Sequence, residues 1–191
     1  MGILKKLAVM TISALGLAGV ALAEPKAPAR PTSTYTSVPE PAEDYADTGG
    51  KELTDGVYGE PHYNDERWVG WYNWTDSTRA VAITFDLGEA RKLSRVRLCS
   101  LNFKAAGINP IEKFTVSFSE DGTTFENEAT FTTKDDGREN GESNNGKTVM
   151  LTRNLTGTGR WVKIELIQLD RSTTHPWIFL SEVEFDSQPA K

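Results

Sequence analysis

The sequence predicts an all-β protein folded as an antiparallel β-sandwich, and three observations predict it. Apolar residues recur at every second position in short runs, turn residues separate those runs, and no stretch sustains a helical period for three turns. Alternation at period two puts one face of a strand in a core and the other in water. Short strands at this spacing bury their apolar faces by packing two sheets together.

The strands follow in order. RAVAITFD sets Val81, Ile83 and Phe85 on one face, and KFTVSFS does the same with Phe114, Val116 and Phe118. WVKIEL repeats it with Val162, Ile164 and Leu166, and the last strand with Phe179, Val183 and Phe185. Leu87-Gly88, Asp121-Gly122 and Asp136-Gly137 supply the turns between apolar runs. Two segments are longer than a tight turn requires. Gly56 to Thr78 carries His62, Tyr63, Trp68, Trp71, Tyr72 and Trp74. Lys134 to Lys147 is polar, glycine-rich and without apolar side chains. Long loops on a rigid sandwich are where binding usually sits, although the second composition equally suits a solvated excursion.

The first residues point to export. Lys5 and Lys6 precede an apolar run from Leu7 to Val20, and Ala21-Leu22-Ala23 has the small-x-small form of a cleavage site. The expected division is a signal peptide at 1–23, a Pro/Ala-rich linker at 24–33, the sandwich at 34–187 and a tail at 188–191. The expected destination is the periplasm or the exterior, with no membrane span in the mature chain. The formal net charge is −6, and loss of Lys5 and Lys6 takes it two units lower. That balance argues against nucleic acid as a partner, because binding phosphate needs a basic stripe. Cys99 is the only cysteine, so no internal disulfide forms, and its strand-like setting predicts a buried, inert thiol.

A catalytic reading finds little support. His62 and His175 are far apart in the chain, and no G-x-S-x-G, H-E-x-x-H, P-loop or dinucleotide fingerprint occurs. Carboxylates are plentiful, but no pair stands out as a glycosidase acid and base. The expectation is a protein that is not an enzyme.

A set of motifs in order is more specific. Tyr45-Ala-Asp-Thr-Gly-Gly-Lys-Glu-Leu-Thr-Asp-Gly56 is followed by Trp68-Val-Gly-Trp71 and Val81-Ala-Ile-Thr-Phe-Asp-Leu-Gly88. Val96-Arg-Leu98, Gly107-Ile-Asn-Pro110 and Val116-Ser-Phe-Ser-Glu-Asp-Gly-Thr-Thr-Phe125 come next. Arg160-Trp-Val-Lys-Ile164 and Trp177-Ile-Phe-Leu-Ser-Glu-Val-Glu-Phe185 close the series. From about residue 34 to 187 the series resembles the coagulation factor 5/8 type C (discoidin) family, in its bacterial galactose-binding-like, carbohydrate-binding form. The resemblance implies a non-catalytic jelly-roll β-sandwich that often holds calcium.

It also implies site residues. Asp55 and Glu182 match the carboxylates that help hold a structural calcium ion joining the two ends of the domain, with Leu53 and Ser181 as carbonyl donors and Asp47 as a further candidate. Read from the residues alone, Asp55 is equally a turn residue before Gly56, and Glu182 a solvated strand position. The chain departs from the family where a Thr soon after Asp-Gly also ligates; here Val57-Tyr-Gly-Glu-Pro61 fills that stretch. The implied sugar site lies on loops at one end of the sandwich, where an aromatic ring packs on a sugar face and polar groups bond its hydroxyls. The candidates are Trp71, Tyr72, Trp74, Asn102, Phe103, His175 and Trp177; Trp177, like Trp68, also suits the core. The expected function is binding of carbohydrate, as polysaccharide or cell-surface glycan, alone or beside a companion glycosidase. The alternative is a protein–protein or adhesion module on the same fold, and the third reading is a hydrolase with unrecognised carboxylates.

Overall fold

The computed structural model describes residues 33–72, 80–108, 111–133, 145–167 and 177–190. Its elements are β1 (Thr34–Val38), β2 (Val69–Tyr72), β3 (Ala80–Asn102), β4 (Lys113–Ser119), β5 (Glu126–Thr132), β6 (Lys147–Ile167) and β7 (Trp177–Pro189). The described helical turns are two single 3₁₀ turns, Glu43–Tyr45 and Lys104–Ala106. All strand pairs are antiparallel.

Two long strands build both layers. The first part of β3 pairs with β1 and with the second part of β6, which pairs in turn with β4 and then β5. This gives a five-stranded sheet, β1-β3-β6-β4-β5. Past a register break between Asp86 and Arg91, β3 pairs with the first part of β6 and with β7, and β7 with β2. The second sheet is therefore β6-β3-β7-β2. Local sequence makes the bend possible. Gly88 sits in the break at φ +79°, a region where a side chain is strained. Gly157 of β6 serves close packing instead: a β-carbon there would lie 2.1 Å from the Phe118 ring.

On β3, β4 and β6 the inward faces are those the alternation predicts. Val81, Ile83, Phe85, Phe114, Val116, Phe118, Val162, Ile164 and Leu166 are all buried, as are Val183 and Phe185. They meet Leu93, Val96, Leu98, Leu151 and Leu180 from the second sheet in one cluster. Phe179 corrects the expectation that it shares a face with Val183 and Phe185: a register shift at Ser181 changes the alternation, and Phe179 is buried on the opposite face of β7, in a second cluster with Trp68, Cys99, Leu101 and Ile108. The four-stranded sheet is thus apolar on both faces at its Phe179 end, where residues 45–68 and 103–108 supply the outer cover, while its other end carries the ion pairs of Arg95 and Arg97 with Glu184 and Asp186. Burial pushes the Cys99 thiol pKa up, away from the reactive thiolate.

Three further expectations need correction. Gly56 to Thr78 is not all loop, because β2 lies inside it, held along β7 from Val69↔Leu180 to Tyr72↔Trp177. Trp71 is 1% exposed and belongs to the inter-sheet core, not to a ligand surface. Alternation along β2 turns it inward, where its indole N–H donates to Ser37 Oγ of β1 at 3.1 Å. The last strand also runs beyond 187, since Gln188 and Pro189 still pair with Lys92 and Arg91.

Candidate functional site

The outer layer ends in an aromatic cleft. Phe179 forms its floor because β7 alternates, with Ile178 and Leu180 turned to the main core. Tyr45 arrives on the first 3₁₀ turn, which is tied to β2 by the Ala42 N–H donating to Gly70 O at 2.9 Å. Gly70 allows this approach, since a β-carbon there would lie 2.7 Å from the Phe179 ring and 2.8 Å from Tyr45 Cβ. The strap from 56 to 68 brings Tyr63. Gly59 N–H donates to Ser181 Oγ at 3.0 Å, and the buried Trp68 donates its indole N–H to Glu60 O at 2.9 Å. The turn after β3 supplies the remaining wall. Phe103 and Ile108 pair across the 3₁₀ turn, and Trp177 N–H donates to Gly107 O at 3.1 Å.

Tyr45, Tyr63, Ala106, Ile108, Trp177 and Phe179 enclose a cavity of about 260 Å³. Ring centroids lie 4.5 Å apart for Tyr45 and Phe179, 5.3 Å for Tyr45 and Trp177, and 5.6 Å for Trp177 and Phe179. His62 stacks on Tyr63 at 4.9 Å, and Tyr63 meets Phe103 at 5.6 Å. Burial raises the phenol pKa of Tyr45 and of Tyr72, so both stay neutral across the physiological range. The cleft therefore offers aromatic faces, with Tyr45 as a neutral phenol among its lining residues. Larger grooves of about 690 and 370 Å³ exist, but neither is lined by Tyr or Trp.

The expected site residues divide. Trp177 is a cleft wall, Tyr72 packs on it at 4.6 Å between centroids, and Phe103 backs Tyr63. Asn102 is a correction: as the last residue of β3, paired with Lys147, it is 1% exposed and presents no surface to a ligand. Trp74 and His175 lie outside the described residues. Sequence reasoning missed Tyr45 and Phe179 as cleft residues and named Tyr63 only as a loop aromatic. Tyr45 and Tyr63 have no periodic context to signal the surface they meet, and alternation assigns Phe179 to the other face of its strand.

The metal candidates gather where the ends of the domain meet. Val183 N–H donates to Leu53 O at 2.7 Å, and Gly56 N–H donates to the Glu182 carboxylate at 2.9 Å. Glu182 is buried, not solvated. Asp55 is exposed and accepts the Val57 N–H at 2.7 Å, and the hydroxyl of the buried Ser181 accepts the Gly59 N–H. Asp47 accepts from Tyr35 Oη and, at 3.0 Å, from Lys51 N–H. Among the described residues, no group of three or more His, Cys, Asp or Glu side chains is placed to hold a metal. An ion here would rely on main-chain carbonyls beside a buried carboxylate, which is hard-oxygen chemistry of the kind calcium takes. The donor set fits on those terms.

Comparison with known proteins agrees with this architecture. A mutant of the lectin binding domain of lectinolysin, complexed with Lewis b, is 22% identical, with a TM-score of 0.54 over 87% of this chain and 99% of that one. The C-terminal domain of a chitobiase from Bacteroides fragilis is 19% identical, with a TM-score of 0.48 over 83% of this chain and 93% of that one. The family 32 CBM from C. perfringens NanJ, in complex with galactose, is 16% identical, with a TM-score of 0.47 over 82% and 93%. Among curated proteins none is significantly similar in sequence. The family described as Discoidin domain-containing receptor 1/2, DS-like domain, matches residues 33–187. The chain belongs to this discoidin-like family and folds as its jelly-roll β-sandwich.

Proposed function

We propose that this domain is a secreted, non-catalytic carbohydrate-binding module, and that the aromatic cleft is its sugar site. The observation that carries the reading is the convergence of Tyr45, Tyr63, Trp177 and Phe179 on one cavity of about 260 Å³. Aromatic walls suit the C–H face of a pyranose, and neutral phenols bond hydroxyls without imposing a charge preference. The volume is at the small end of ligand pockets and suits one sugar ring better than a chain. The described lining residues are aromatic or aliphatic, which suits a binding surface. The lectinolysin domain, the most informative of the similar folds, is one complexed with Lewis b. The export signal at 1–23 supplies the compartment, and the partner is a polysaccharide or surface glycan, met alone or beside a companion glycosidase.

The junction of Leu53, Asp55, Ser181 and Glu182 reads as a structural calcium site. When bound, calcium would supply electrostatic cross-linking of the first and last parts of the domain, with Glu182 and the Leu53 carbonyl as the anchors and Asp55 closing from the surface. The cleft test is a glycan array with wild type, Tyr63→Ala and Trp177→Ala. Wild type should retain a defined set of glycans, and each variant should lose roughly fivefold or more, the loss expected when an aromatic face worth about 1 kcal/mol or more is removed. A wild-type protein that retains no glycan but binds whole cells would favour the adhesion reading instead.

A further inference from the structure

Residues 47–56 form an irregular stretch that carries two of the proposed calcium donors. Short-range bonds shape it: Asp47 accepts from Lys51 N–H, and Glu52 accepts from the Thr48 N–H at 2.7 Å. None of these bonds reaches either sheet. The link to the five-stranded sheet is Tyr35 on β1, whose ring packs on Phe85 at 5.5 Å between centroids. Its hydroxyl donates to the Asp47 carboxylate and accepts the Leu53 N–H at 3.1 Å. Leu53 in turn is fully buried, and its carbonyl receives Val183 N–H beside Glu182. One hydroxyl therefore fixes both the start of the stretch and the residue whose carbonyl faces β7.

We propose that Tyr35 is the positioning residue of the Leu53–Asp55–Glu182 calcium site, holding Leu53 in place without ligating the ion. The inference rests on the calcium reading above. A donor held in place before the ion arrives loses less freedom on binding, so the benefit appears as affinity. The hydroxyl does this from the strand layer opposite β7, which makes the site span both sheets. Asp47 serves the same end through its bond to Tyr35 and is not a ligand.

The test is calcium titration calorimetry, with terbium luminescence as a second measure, on wild type, Tyr35→Phe and Asp47→Asn, alongside melts of the calcium-free proteins. Tyr35→Phe keeps the packed ring and removes one hydroxyl, so calcium Kd should rise about tenfold, the effect of losing one hydrogen bond that orders a site. Asp47→Asn keeps an acceptor for Tyr35, so its Kd should stay within about threefold of wild type, inside the spread of a single weak contact. A Tyr35→Phe protein whose calcium-free melt falls while its Kd is unchanged would overturn the proposal and leave Tyr35 a packing residue. If Asp47→Asn loses as much affinity as Asp55→Ala, Asp47 is a ligand and the positioning role is wrong. Wild-type protein that binds neither ion would remove the calcium reading itself, and the positioning role with it.

Discussion

Replacing Gly70 with alanine tests the outer layer and the cleft together. The added β-carbon would lie 2.7 Å from Phe179 Cε1 and 2.8 Å from Tyr45 Cβ. Carbon atoms pack best at about 3.5–4.0 Å, so both contacts are roughly an ångström too close. Phe179 can yield by turning its ring. Tyr45 Cβ cannot yield alone, because its 3₁₀ turn is tied to Gly70 O through Ala42. Overpacking of this kind costs about 1–3 kcal/mol. Gly→Ala also restricts the unfolded chain, which returns about 0.4–1 kcal/mol where the backbone tolerates alanine. The net loss should be about 1–2 kcal/mol, or a melting temperature lower by roughly 2–8 °C in a domain of this size. Glycan affinity should fall as well, since Tyr45 and Phe179 both line the cleft. Thermal unfolding followed by near-ultraviolet circular dichroism reads the first effect, and binding to an immobilised glycan reads the second. Tyr45→Gly in the same background removes one clash and should recover part of the melt. A Gly70→Ala protein that melts within a degree of wild type would refute the packing of residues 42–45 on β2.

Other outcomes follow from the same contacts. Phe85→Ala should cost about 3–5 kcal/mol in denaturant unfolding, because the ring is fully buried and packs on Tyr35 and Phe185. Chelator should lower the melting temperature if calcium is bound only in the folded state, by about 2.7 kcal/mol of lost stability relative to a hundredfold excess over Kd. Asp55→Ala or Glu182→Ala should abolish that response, and elemental analysis of purified protein distinguishes an empty site from an ion too tightly held to strip. Asp121 is held well below its usual range by the backbone N–H groups of Thr124 and Thr123, and Asp86 is lowered chiefly by Arg160. Both groups bind fewer protons folded than unfolded, so their contribution is present above about pH 4 and is lost as pH falls below it. Asp121→Asn should flatten the acid limb of a melting-temperature profile; an unchanged limb would assign it to other carboxylates.

Most of the sandwich was legible because strands announce themselves by period. The nine residues assigned to the core from β3, β4 and β6 alternate without interruption, and a slip of one residue would turn each apolar set away from the core. The face of a short segment was harder to read. Trp71 and Tyr72 are adjacent, both aromatic, and sit in a run with no regular alternation. Only pairing with β7 decides that Trp71 enters the core while Tyr72 packs on Trp177. The outer aromatic layer was invisible for a related reason. A sheet buried on both faces reads as nearly continuous apolar sequence, as in IFLSEVEF, and period alone does not separate its two sides. Tyr45 and Tyr63 reach the cleft through irregular chain, where position depends on tertiary bonds such as Ala42 to Gly70 and Gly59 to Ser181.

These bonds also join the two candidate sites. Strand β7 presents Trp177 and Phe179 to the cleft, then Ser181 and Glu182 to the strap and the junction, five residues further on. At about 3.3 Å per residue, Glu182 lies some 16 Å along the strand from Trp177 and about 10 Å from Phe179, well beyond the roughly 2.5 Å reach of a calcium–oxygen bond. The strap covers the same distance in the other direction. It leaves the junction at Gly56, is pinned at Gly59 and Trp68, and delivers Tyr63 to the cleft wall between those pins. Loosening the junction therefore frees one wall while the floor on β7 stays put. Calcium, where it acts, should change stability more than sugar affinity, and what affinity change occurs should be lost in a Tyr63→Ala background. That dependence follows from which side of the cleft is carried by irregular chain and which by a paired strand.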